Sequence, residues 1–365
     1  MKEKKTALIL GGGIAGMAAA IRLNQSGWNV KIFEKITARD RLGHGFILLE
    51  NGLESLDKLG LGDAINSSGS EITEFKLYSS SGDPIYNTPM GRSKGFRRAD
   101  FIRILEENLP PQSVQYGKRF TGFVSSPDGQ ASAAQFDDGS IIKADLFLAS
   151  DGIQSAVRRN LFPASSLTEV RVKELVSHLK NPELAHWVGK KFIKYQRPSG
   201  GLALGIVPAG DDQIIWYIQF DAQEFPLNEP TSLAKKAFVE KHFKGWPDPI
   251  SRLIQFTDFE MSHTWMTTDL DPLPALHSQN IALIGDAGHA FLPFTSQGVN
   301  AALSDALVLG ELLDHHEIQE ALPLYTKLRL PEIAKTVEGG RTLRERFLKP
   351  ELFKDDKNSI VPLVK

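Results

Sequence analysis

Six residues near the amino terminus, Gly-Gly-Gly-Ile-Ala-Gly at 11–16, constrain the fold more than any other feature of the chain. They follow an apolar run and precede an Ala-rich stretch, which predicts a strand, a tight turn and a helix. In this G-x-G-x-x-G pattern Gly11 permits the turn, Gly13 lets a pyrophosphate approach the backbone, and Gly16 lets helix and strand pack closely. The helix N-terminus adds attraction for phosphate. The candidate contacts to a nucleotide cofactor in this turn are Gly11, Gly13, Ile14, Ala15 and Gly16.

An acidic residue stands where the second strand of this β-α-β pattern ends. Residues 29–33 are typical of a strand, and Glu34 follows them about 20 residues after the glycines. Its carboxylate can bind the hydroxyl pair of a ribose. Lys35, beside it, is a further candidate contact. The pattern predicts a dinucleotide site, but it does not separate NAD from FAD.

The composition excludes several other classes of function. Among 365 residues, 42 Lys and Arg face 44 Asp and Glu, so the net charge of −2 gives no basis for binding nucleic acid or an anionic membrane. The chain has no cysteine, and its nine histidines show no metal-ligand spacing, so we expect no disulfide and no metal. No apolar stretch reaches the roughly 18 residues that span a bilayer. We therefore expect a cytoplasmic protein with no stable membrane insertion.

Two segments farther along the chain carry additional ordered signals. Residues 145–158 contain Asp151 followed by glycine, and residues 284–300 contain Asp286 preceded by glycine. With the glycine turn, in this order and spacing, they resemble the motifs of the single-component (group A) FAD-dependent aromatic hydroxylases. That family includes para-hydroxybenzoate hydroxylase, kynurenine 3-monooxygenase and the tetracycline-inactivating monooxygenases. The resemblance covers nearly the whole chain.

The resemblance implies an α/β fold: a Rossmann-like FAD-binding domain with an inserted antiparallel β-rich substrate domain and a C-terminal helix. The sequence pattern agrees, since strand–helix alternation at both ends flanks a central region rich in strand-like segments and aromatics. The bounds that we predict are 1–70, 98–165 and 271–347 for the FAD-binding domain, 71–97 and 166–270 for the substrate domain, and 348–365 for a C-terminal tail.

The segment 284–300 supplies further candidate contacts. Asp286, at the end of a buried strand, can accept a hydrogen bond from a ribityl or ribose hydroxyl. The helix that opens at Gly298 has N–H groups and a dipole that favour negative charge, and the resemblance places them at the N1–C2=O edge of the flavin ring. Pro293 corresponds to the family's proline beside the reacting face of the flavin. His289 is a candidate proton carrier, although the family commonly has a structural histidine here.

Two arginine positions complete the cofactor site that the resemblance implies. Residues 95–101 are similar to the family's Arg-x-x-Leu helix start, with Phe101 in place of the leucine. Arg98 would lie near the pyrophosphate or the flavin ring, and the adjacent Arg97 is the alternative. Arg41 resembles a basic residue that precedes a glycine-containing segment of the family. The candidate FAD contacts outside the first β-α-β unit are Arg41, Arg98, Asp151, Asp286, Gly298, Val299 and Asn300.

The resemblance also implies a reaction. NADH or NADPH would reduce bound FAD, O2 would add at flavin C4a, and the hydroperoxide would hydroxylate a small, aromatic or electron-rich substrate. The cofactor carries this chemistry, which explains why no nucleophile or acid–base pair stands out in the sequence. The partners would be O2 and a small-molecule substrate, and the protein a monomer or homodimer. Two alternatives are open: a flavin-dependent reductase or oxidase of the same fold, and a non-catalytic FAD- or ligand-binding protein.

The substrate pocket should lie between the flavin and the β-rich domain. Alternation along the strand 213–220 puts Trp216 on one face and Tyr217 on the other, and the sequence does not decide which face lines the pocket. Aromatic residues of this region are as consistent with core packing as with a pocket wall. The candidate wall residues are Tyr195, Trp216, Tyr217, Phe220 and Phe294.

Overall fold

The computed structural model describes residues 4–37, 44–229 and 231–353. The strands in these ranges are β1 (Thr6–Leu10), β2 (Asn29–Glu34), β3 (Gly45–Leu48), β4 (Ser70–Glu71), β5 (Glu74–Ser79), β6 (Pro84–Pro89), β7 (Lys94–Arg97), β8 (Val114–Tyr116), β9 (Phe120–Ser125), β10 (Ala131–Phe136), β11 (Ile141–Lys143), β12 (Leu146–Ala149), β13 (Val172–Lys180), β14 (Lys191–Gln196), β15 (Leu202–Pro208), β16 (Gln213–Asp221), β17 (His263–Met266), β18 (His277–Ser278) and β19 (Ile281–Leu283). The α-helices are α1 (Ile14–Gln25), α2 (Glu50–Lys58), α3 (Gly62–Asn66), α4 (Arg98–Glu107), α5 (Ala156–Leu161), α6 (Pro182–Val188), α7 (Ser232–His242), α8 (Ile250–Phe256), α9 (Gln297–His315) and α10 (Ile318–Leu348). Short 3-10 helices cover Gly285–Ala287, Pro293–Thr295 and Pro350–Phe353.

A six-stranded sheet with the order β18-β19-β12-β1-β2-β8 forms the half of the molecule that carries the glycine turn. Its strands run parallel except for the edge strand β18. The central strand β1 is buried on both faces over its last four residues, as expected of a parallel strand that is covered on both sides. The strand and helix predicted around the glycine turn are confirmed as β1 and α1.

The parallel order brings motifs that are distant in sequence to one edge. β12 pairs with β1 on one side and with β19 on the other. Because parallel strands end at the same edge, the loops that follow β1, β12 and β19 lie side by side. These loops carry the glycine turn, Asp151 and Asp286 respectively. The α/β fold predicted from the sequence is therefore confirmed at the place where the motifs converge.

A second, seven-stranded sheet has the order β17-β13-β16-β15-β14-β5-β6, with antiparallel pairs except between β14 and β5. One face packs against α6, α7 and α8 in an aromatic and aliphatic core that includes Trp216 and Phe238. The sheet draws its strands from residues 74–89 and 172–266. The sequence pattern indicated β5, β6, β15 and β16, but it did not predict β13 or β14, whose apolar positions are interrupted by lysines.

A small sheet in the order β3-β7-β4 lies where the two large sheets meet. A Cβ at Gly45 would lie 2.1 Å from Ile215 Cδ1 and 2.3 Å from Phe96 O, so only glycine allows β3 to approach the seven-stranded sheet this closely. α9 packs on α1 and α2, and the long α10 crosses behind it. No helix in the part of the chain that the structure describes is long and apolar enough to cross a membrane.

Candidate active site

A cavity of about 1020 Å³ lies between the carboxyl edge of the six-stranded sheet and one face of the seven-stranded sheet. The loops after β1, β12 and β19, the first turns of α1 and α9, and side chains of β13 to β16 contribute to its lining. Ordinary ligand pockets have volumes of roughly 300–1,000 Å³. The cavity is therefore at the upper end of this range, as expected for a ligand of dinucleotide size.

The glycine turn forms one end of this cavity, and its glycines differ in what surrounds them. Gly11 has φ 114°, and a Cβ there would lie 2.3 Å from Ser150 O. A Cβ at Gly16 would lie 2.2 Å from Gly11 O, so this glycine packs α1 against the strand and does not line the cavity. A Cβ at Gly13 would meet no protein atom within 4 Å, and Gly13 lines the cavity. The bare Cα of Gly13 leaves space for a ligand, as a pyrophosphate site requires.

Glu34 anchors the same end. Its Oε2 accepts a hydrogen bond from Gly12 N at 2.7 Å, and its Oε1 accepts one from Ile36 N at 2.9 Å. Both Glu34 and Lys35 line the cavity. The carboxylate therefore fixes the glycine turn while facing the space where a ribose would lie. Arg41 lies outside the described residues.

Asp286 and Arg98 both line the cavity, where their opposite charges interact. Burial raises the pKa of the Asp286 carboxyl, and the positive charges around it, Arg98 included, oppose the rise. Burial also lowers the pKa of Arg98, against the effect of Asp286. Arg97, the alternative in the sequence, pairs with Asp100 Oδ2 at 3.7 Å and does not line the cavity.

Asp151 lies beside this pair in the loop after β12. Its Oδ2 accepts a hydrogen bond from Ala156 N at 2.7 Å at the start of α5. Its Oδ1 is buried and has no hydrogen-bond partner among the described residues. Asp151 lines the cavity, and its carboxylate positions the loop after β12 against the start of α5.

The first turn of α9 reaches the cavity through Gly298 and Val299. The N-cap residue Ser296 makes no side-chain hydrogen bond to the helix, and Thr295 Oγ1 accepts only from Gln297 N, at 3.4 Å. A Cβ at Gly298 would meet no protein atom within 4 Å. The Asn300 side chain is buried away from the cavity, since Oδ1 accepts from Leu49 N at 2.9 Å and Nδ2 donates to Ser296 O at 2.7 Å, so the predicted FAD contact of Asn300 is left to its backbone N–H. Helical geometry explains the difference, since neighbouring residues of a helix point in different directions.

The sequence made His289 a candidate proton carrier at the reaction site, but the structure places its side chain elsewhere. It is 1% exposed, does not line the cavity, and its Nε2 is hydrogen-bonded to Asp305 Oδ2. The same Asp305 oxygen accepts from Gly285 N at 2.8 Å, and Oδ1 accepts from Arg329 Nε at 2.8 Å. Burial alone would raise the pKa of Asp305, but His289 and Arg329 hold it at about 2. His289 thus holds the loop that presents Asp286.

The structure decides which predicted wall residues face the cavity. Tyr217 and Phe294 line it, and Pro293 lies beside Phe294 in the lining. Trp216 and Phe220 are fully buried on the opposite face of β16, where Trp216 Nε1 donates to Thr257 Oγ1 at 2.9 Å. Tyr195 packs in the same core. Tyr195, Trp216 and Phe220 are therefore core residues, which corrects their place among the wall candidates.

The sequence analysis missed a group of polar side chains on the cavity-facing strands. Their signal is weak but present, because a charged or amide residue at every second position of an apolar strand marks the face turned away from the core. Apolar residues from neighbouring strands complete the same wall. The missed residues that line the cavity include Glu174, Lys194, Gln219, Phe192, Val207 and Ile215.

Known proteins resemble this chain in sequence and in structure. The family described as FAD binding domain matches residues 4–339. The chain is 28% identical over 352 residues to the aurachin C monooxygenase/isomerase of Stigmatella aurantiaca, covering 93% of this chain and 89% of that relative. It is 28% identical over 357 residues to an FAD-dependent urate hydroxylase of Klebsiella oxytoca, covering 92% and 88%. The crystal structure of Klebsiella pneumoniae HpxO with FAD and uric acid matches with a TM-score of 0.86 at 25% identity, covering 96% and 90%.

The residues of this chain fit FAD on their own chemistry. The bare Cα atoms of Gly13 and Gly298 open onto the cavity at two helix N-termini, where anionic groups are stabilised. Glu34 and Asp286 provide carboxylate acceptors along the same path, as ribose and ribityl hydroxyls require.

Proposed function

We propose that this chain, which belongs to the FAD binding domain family and is an FAD-dependent monooxygenase, hydroxylates a small planar aromatic or heterocyclic substrate with electrons from NADH or NADPH. The observation that carries the proposal is the shared cavity. It joins the candidate flavin contacts to the Tyr217 face of the seven-stranded sheet, with Pro293 and Phe294 in its lining. A substrate ring in this space would lie between the cofactor and the sheet.

Each part of the cavity has a defined task in this function. FAD, when bound, supplies the redox and oxygen-transfer chemistry. Gly13 and the first turn of α1 would hold its pyrophosphate, Glu34 a ribose, and Asp286 a ribityl hydroxyl. The first-turn N–H groups of α9 favour negative charge on the nearby ring edge.

The sheet wall controls what lies next to that ring. Val207, Ile215 and Phe192 present apolar surface to the cavity. Such surface excludes water from the place of reaction and holds the flat face of an aromatic ring. Tyr217, whose pKa is raised by burial, stays a neutral hydrogen-bond donor at physiological pH.

The setting in which the enzyme works is also part of the proposal. O2 and a small-molecule substrate are the partners, with no nucleic acid involved. The dependence on NADH or NADPH favours the cytoplasm, where these donors are maintained. We propose a monomer or homodimer.

The test is turnover of a panel of aromatic and heterocyclic compounds by the purified FAD-loaded protein. Consumption of NADH and NADPH is followed in air, and products are weighed by mass spectrometry after reaction in isotopically labelled O2. We expect at least one compound to accelerate consumption and to gain labelled oxygen. Substrate conversion without label would indicate a reductase or oxidase, and no acceleration by any compound would contradict the proposal.

A pair of aromatic variants makes the test specific to the cavity. Tyr217→Ala removes a ring from the wall, so substrate-stimulated consumption should be lost while FAD is retained. Trp187→Ala removes a ring that is 36% exposed on α6, which packs on the opposite face of the sheet, and stimulation should be unchanged.

A further inference from the structure

The sheet wall of the cavity is apolar at one end and polar at the other. Cavity-facing side chains recur at every second residue of each strand, and the register sets Glu174 directly opposite Gln219 on the neighbouring strand. Lys194 reaches them from β14, across the small residues Ala203 and Gly205 of β15. The polar end is therefore assembled from strands that are far apart in sequence.

Hydrogen bonds connect the three polar side chains into a relay. Gln219 Nε2 donates to Glu174 Oε1 at 2.7 Å, and Lys194 Nζ donates to Gln219 Oε1 at 2.8 Å. An ammonium can only donate and a carboxylate can only accept, so the orientation of the amide between them is fixed. Gln219 itself is 3% exposed, which holds the relay rigid against the wall.

Burial disfavours the charged forms of the two ionisable side chains in this relay. Burial raises the pKa of Glu174 to about 7 and lowers the pKa of Lys194 to about 8. Ionisable groups in an apolar setting cost stability, and hydrophobic residues of similar size are often better tolerated. A relay that is costly to the fold, and that faces a ligand cavity, is expected to serve the ligand.

The relay leaves hydrogen-bonding capacity for a molecule in the cavity. The second carboxylate oxygen of Glu174 has no donor among the described residues. Lys194 Nζ lies 5.8 Å from the centroid of the Phe347 ring, and two of its three N–H groups have no oxygen or nitrogen acceptor among those residues. An acceptor and a donor are thus presented at the two ends of the Gln219 amide, with apolar surface next to them.

We infer that Glu174 and Lys194, held by Gln219, recognise a substrate edge that carries an acceptor oxygen next to an N–H or O–H donor. Lys194 binds the oxygen and Glu174 accepts the N–H or O–H hydrogen, while the rest of the ring lies on the apolar end of the wall. The substrate class is accordingly a lactam-like heteroaromatic ring or its hydroxy tautomer. This inference rests on the proposed function, because it names the substrate class of the same cavity.

The experiment measures binding to the FAD-loaded protein without turnover, from the change in flavin absorbance. The probes are quinolin-2(1H)-one, which has both groups on one edge, and its N-methyl derivative, which lacks the donor. We expect the parent to bind at least about tenfold more tightly in the wild-type protein, the scale of one good hydrogen bond to a charged group. Glu174→Met should bring the two dissociation constants within about twofold of each other, since the acceptor for the donor is gone.

Lys194→Met tests recognition of the acceptor oxygen on the substrate edge. It should weaken both probes by a similar factor, about tenfold, because both keep the acceptor oxygen. Lys191→Met is the matched control: it lies on the same strand but points to the other face, and it should change neither probe.

Three outcomes would each overturn the inference. They are equal binding of the two probes to the wild-type protein, failure of the parent probe to bind, and a preference for the parent probe that survives in Glu174→Met. The wild-type comparison stands even where a variant does not fold. Label incorporation from O2 tests the monooxygenase separately, so the failure of one proposal is distinguishable from the failure of the other.

Discussion

On the side of the cavity that carries the glycine turn, exposed backbone atoms share the lining with charged side chains; on the facing sheet, side chains form it. Gly13 and Gly298 expose bare Cα atoms at helix N-termini. Glu174 and Lys194 project long polar side chains from strands whose backbones are fully occupied in the sheet. The two sides of one cavity therefore differ in how much of ligand recognition the backbone supplies.

This difference matches what each side has to bind. A cofactor that is the same in every turnover is well served by backbone N–H groups, which no side-chain substitution removes. A strand face can exchange its side chains without disturbing the hydrogen bonds of the sheet, so substrate preference can change there while the fold is kept. Substitutions on the two sides should consequently have separable effects.

The largest effect is expected from Gly13→Val. The new side chain meets no protein atom at its Cβ, so the fold should persist, but it occupies the space of the pyrophosphate. FAD affinity should fall at least about 100-fold, because the displaced pyrophosphate forfeits charge-assisted hydrogen bonds of roughly 1.5–3 kcal/mol each. Flavin content and titration of the apo-protein with FAD give the measurement.

Gly339→Ala is the control for this change. A Cβ at Gly339 likewise meets no protein atom within 4 Å, but it lies in α10 away from the cavity lining. This variant should keep its full flavin content. A Gly13→Val protein that is folded and fully loaded with FAD would contradict the role assigned to the glycine turn.

A smaller loss is expected at the ribose. Glu34→Ala should weaken FAD by roughly 1.5–3 kcal/mol, or about 10–100-fold, the value of hydrogen bonds to a charged group. Part of the change comes from the turn itself, because Gly12 N and Ile36 N lose their acceptor. Titration of the apo-protein with ADP should show the same weakening, since the contact is to the adenosine end.

Glu34→Gln separates these contributions. Its amide oxygen can accept from only one side of the turn at a time, so its affinity should lie between those of the wild type and Glu34→Ala. Unchanged affinity for both FAD and ADP in Glu34→Ala would show that no ribose is bound at the end of β2.

The backbone side could be predicted from the sequence because its signals are local. The glycine turn and Asp286 come just after strands, Glu34 is the last residue of β2, and parallel strands bring such positions to one edge. The side-chain site could not be predicted in this way, because Glu174 and Lys194 meet only through the strand order β13-β16-β15-β14. The alternation of side chains along a strand predicted that Trp216 and Tyr217 lie on opposite faces of the sheet. Which face lines the cavity is decided by where the helices pack.

His289 and Asn300 show a second limit. Their positions next to Asp286 and Gly298 suggested contact with the cofactor, yet both side chains turn into the protein and hold neighbouring loops. A residue adjacent to a site in sequence supports that site as often as it lines it, and only the direction of the side chain separates the two cases.

A prediction on the stability of the polar wall follows from the raised pKa of Glu174. Its native pKa of about 7 exceeds its ordinary value of 4.5, so ionisation opposes folding: the penalty is absent below about pH 4.5 and complete above about pH 7. Lys194 offsets part of it. At pH 8 Glu174→Gln should therefore be more stable than the wild type by roughly 1–2 kcal/mol, a gain that fades towards pH 4.5. Urea unfolding of the FAD-loaded proteins measures the difference.

Glu224→Gln is the matched control with the opposite sign. A hydrogen bond from Arg197 lowers the pKa of Glu224, so neutralising it should give no gain in stability at pH 8. If Glu174→Gln were less stable than the wild type at pH 8, the relay would be a stabilising element of the sheet, and the contrast between the two sides of the cavity would weaken.

The smallest effect concerns the backbone side again, at the first turn of α9. Val299 lines the cavity at a helix N-terminus, which favours negative charge by about 0.3–1 kcal/mol when exposed and up to roughly 2 when partly buried. Val299→Asp places an opposing charge there. The two-electron potential of bound flavin should fall by roughly 10–40 mV, because the reduced ring is anionic and the oxidised ring is neutral.

The alternative explanation is that Val299 only packs against its neighbours. A control variant that adds the same charge elsewhere on the helix separates packing from the electrostatic effect. Ser304→Asp adds the same charge to the same helix at a position that does not line the cavity, so its potential should stay closer to the wild type. Loss of thermal stability alone in Val299→Asp would mean that the side chain only packs. A fully loaded Val299→Asp protein with an unshifted potential would show that this helix N-terminus does not face the ring, because a charge added beside the reduced anion must oppose it.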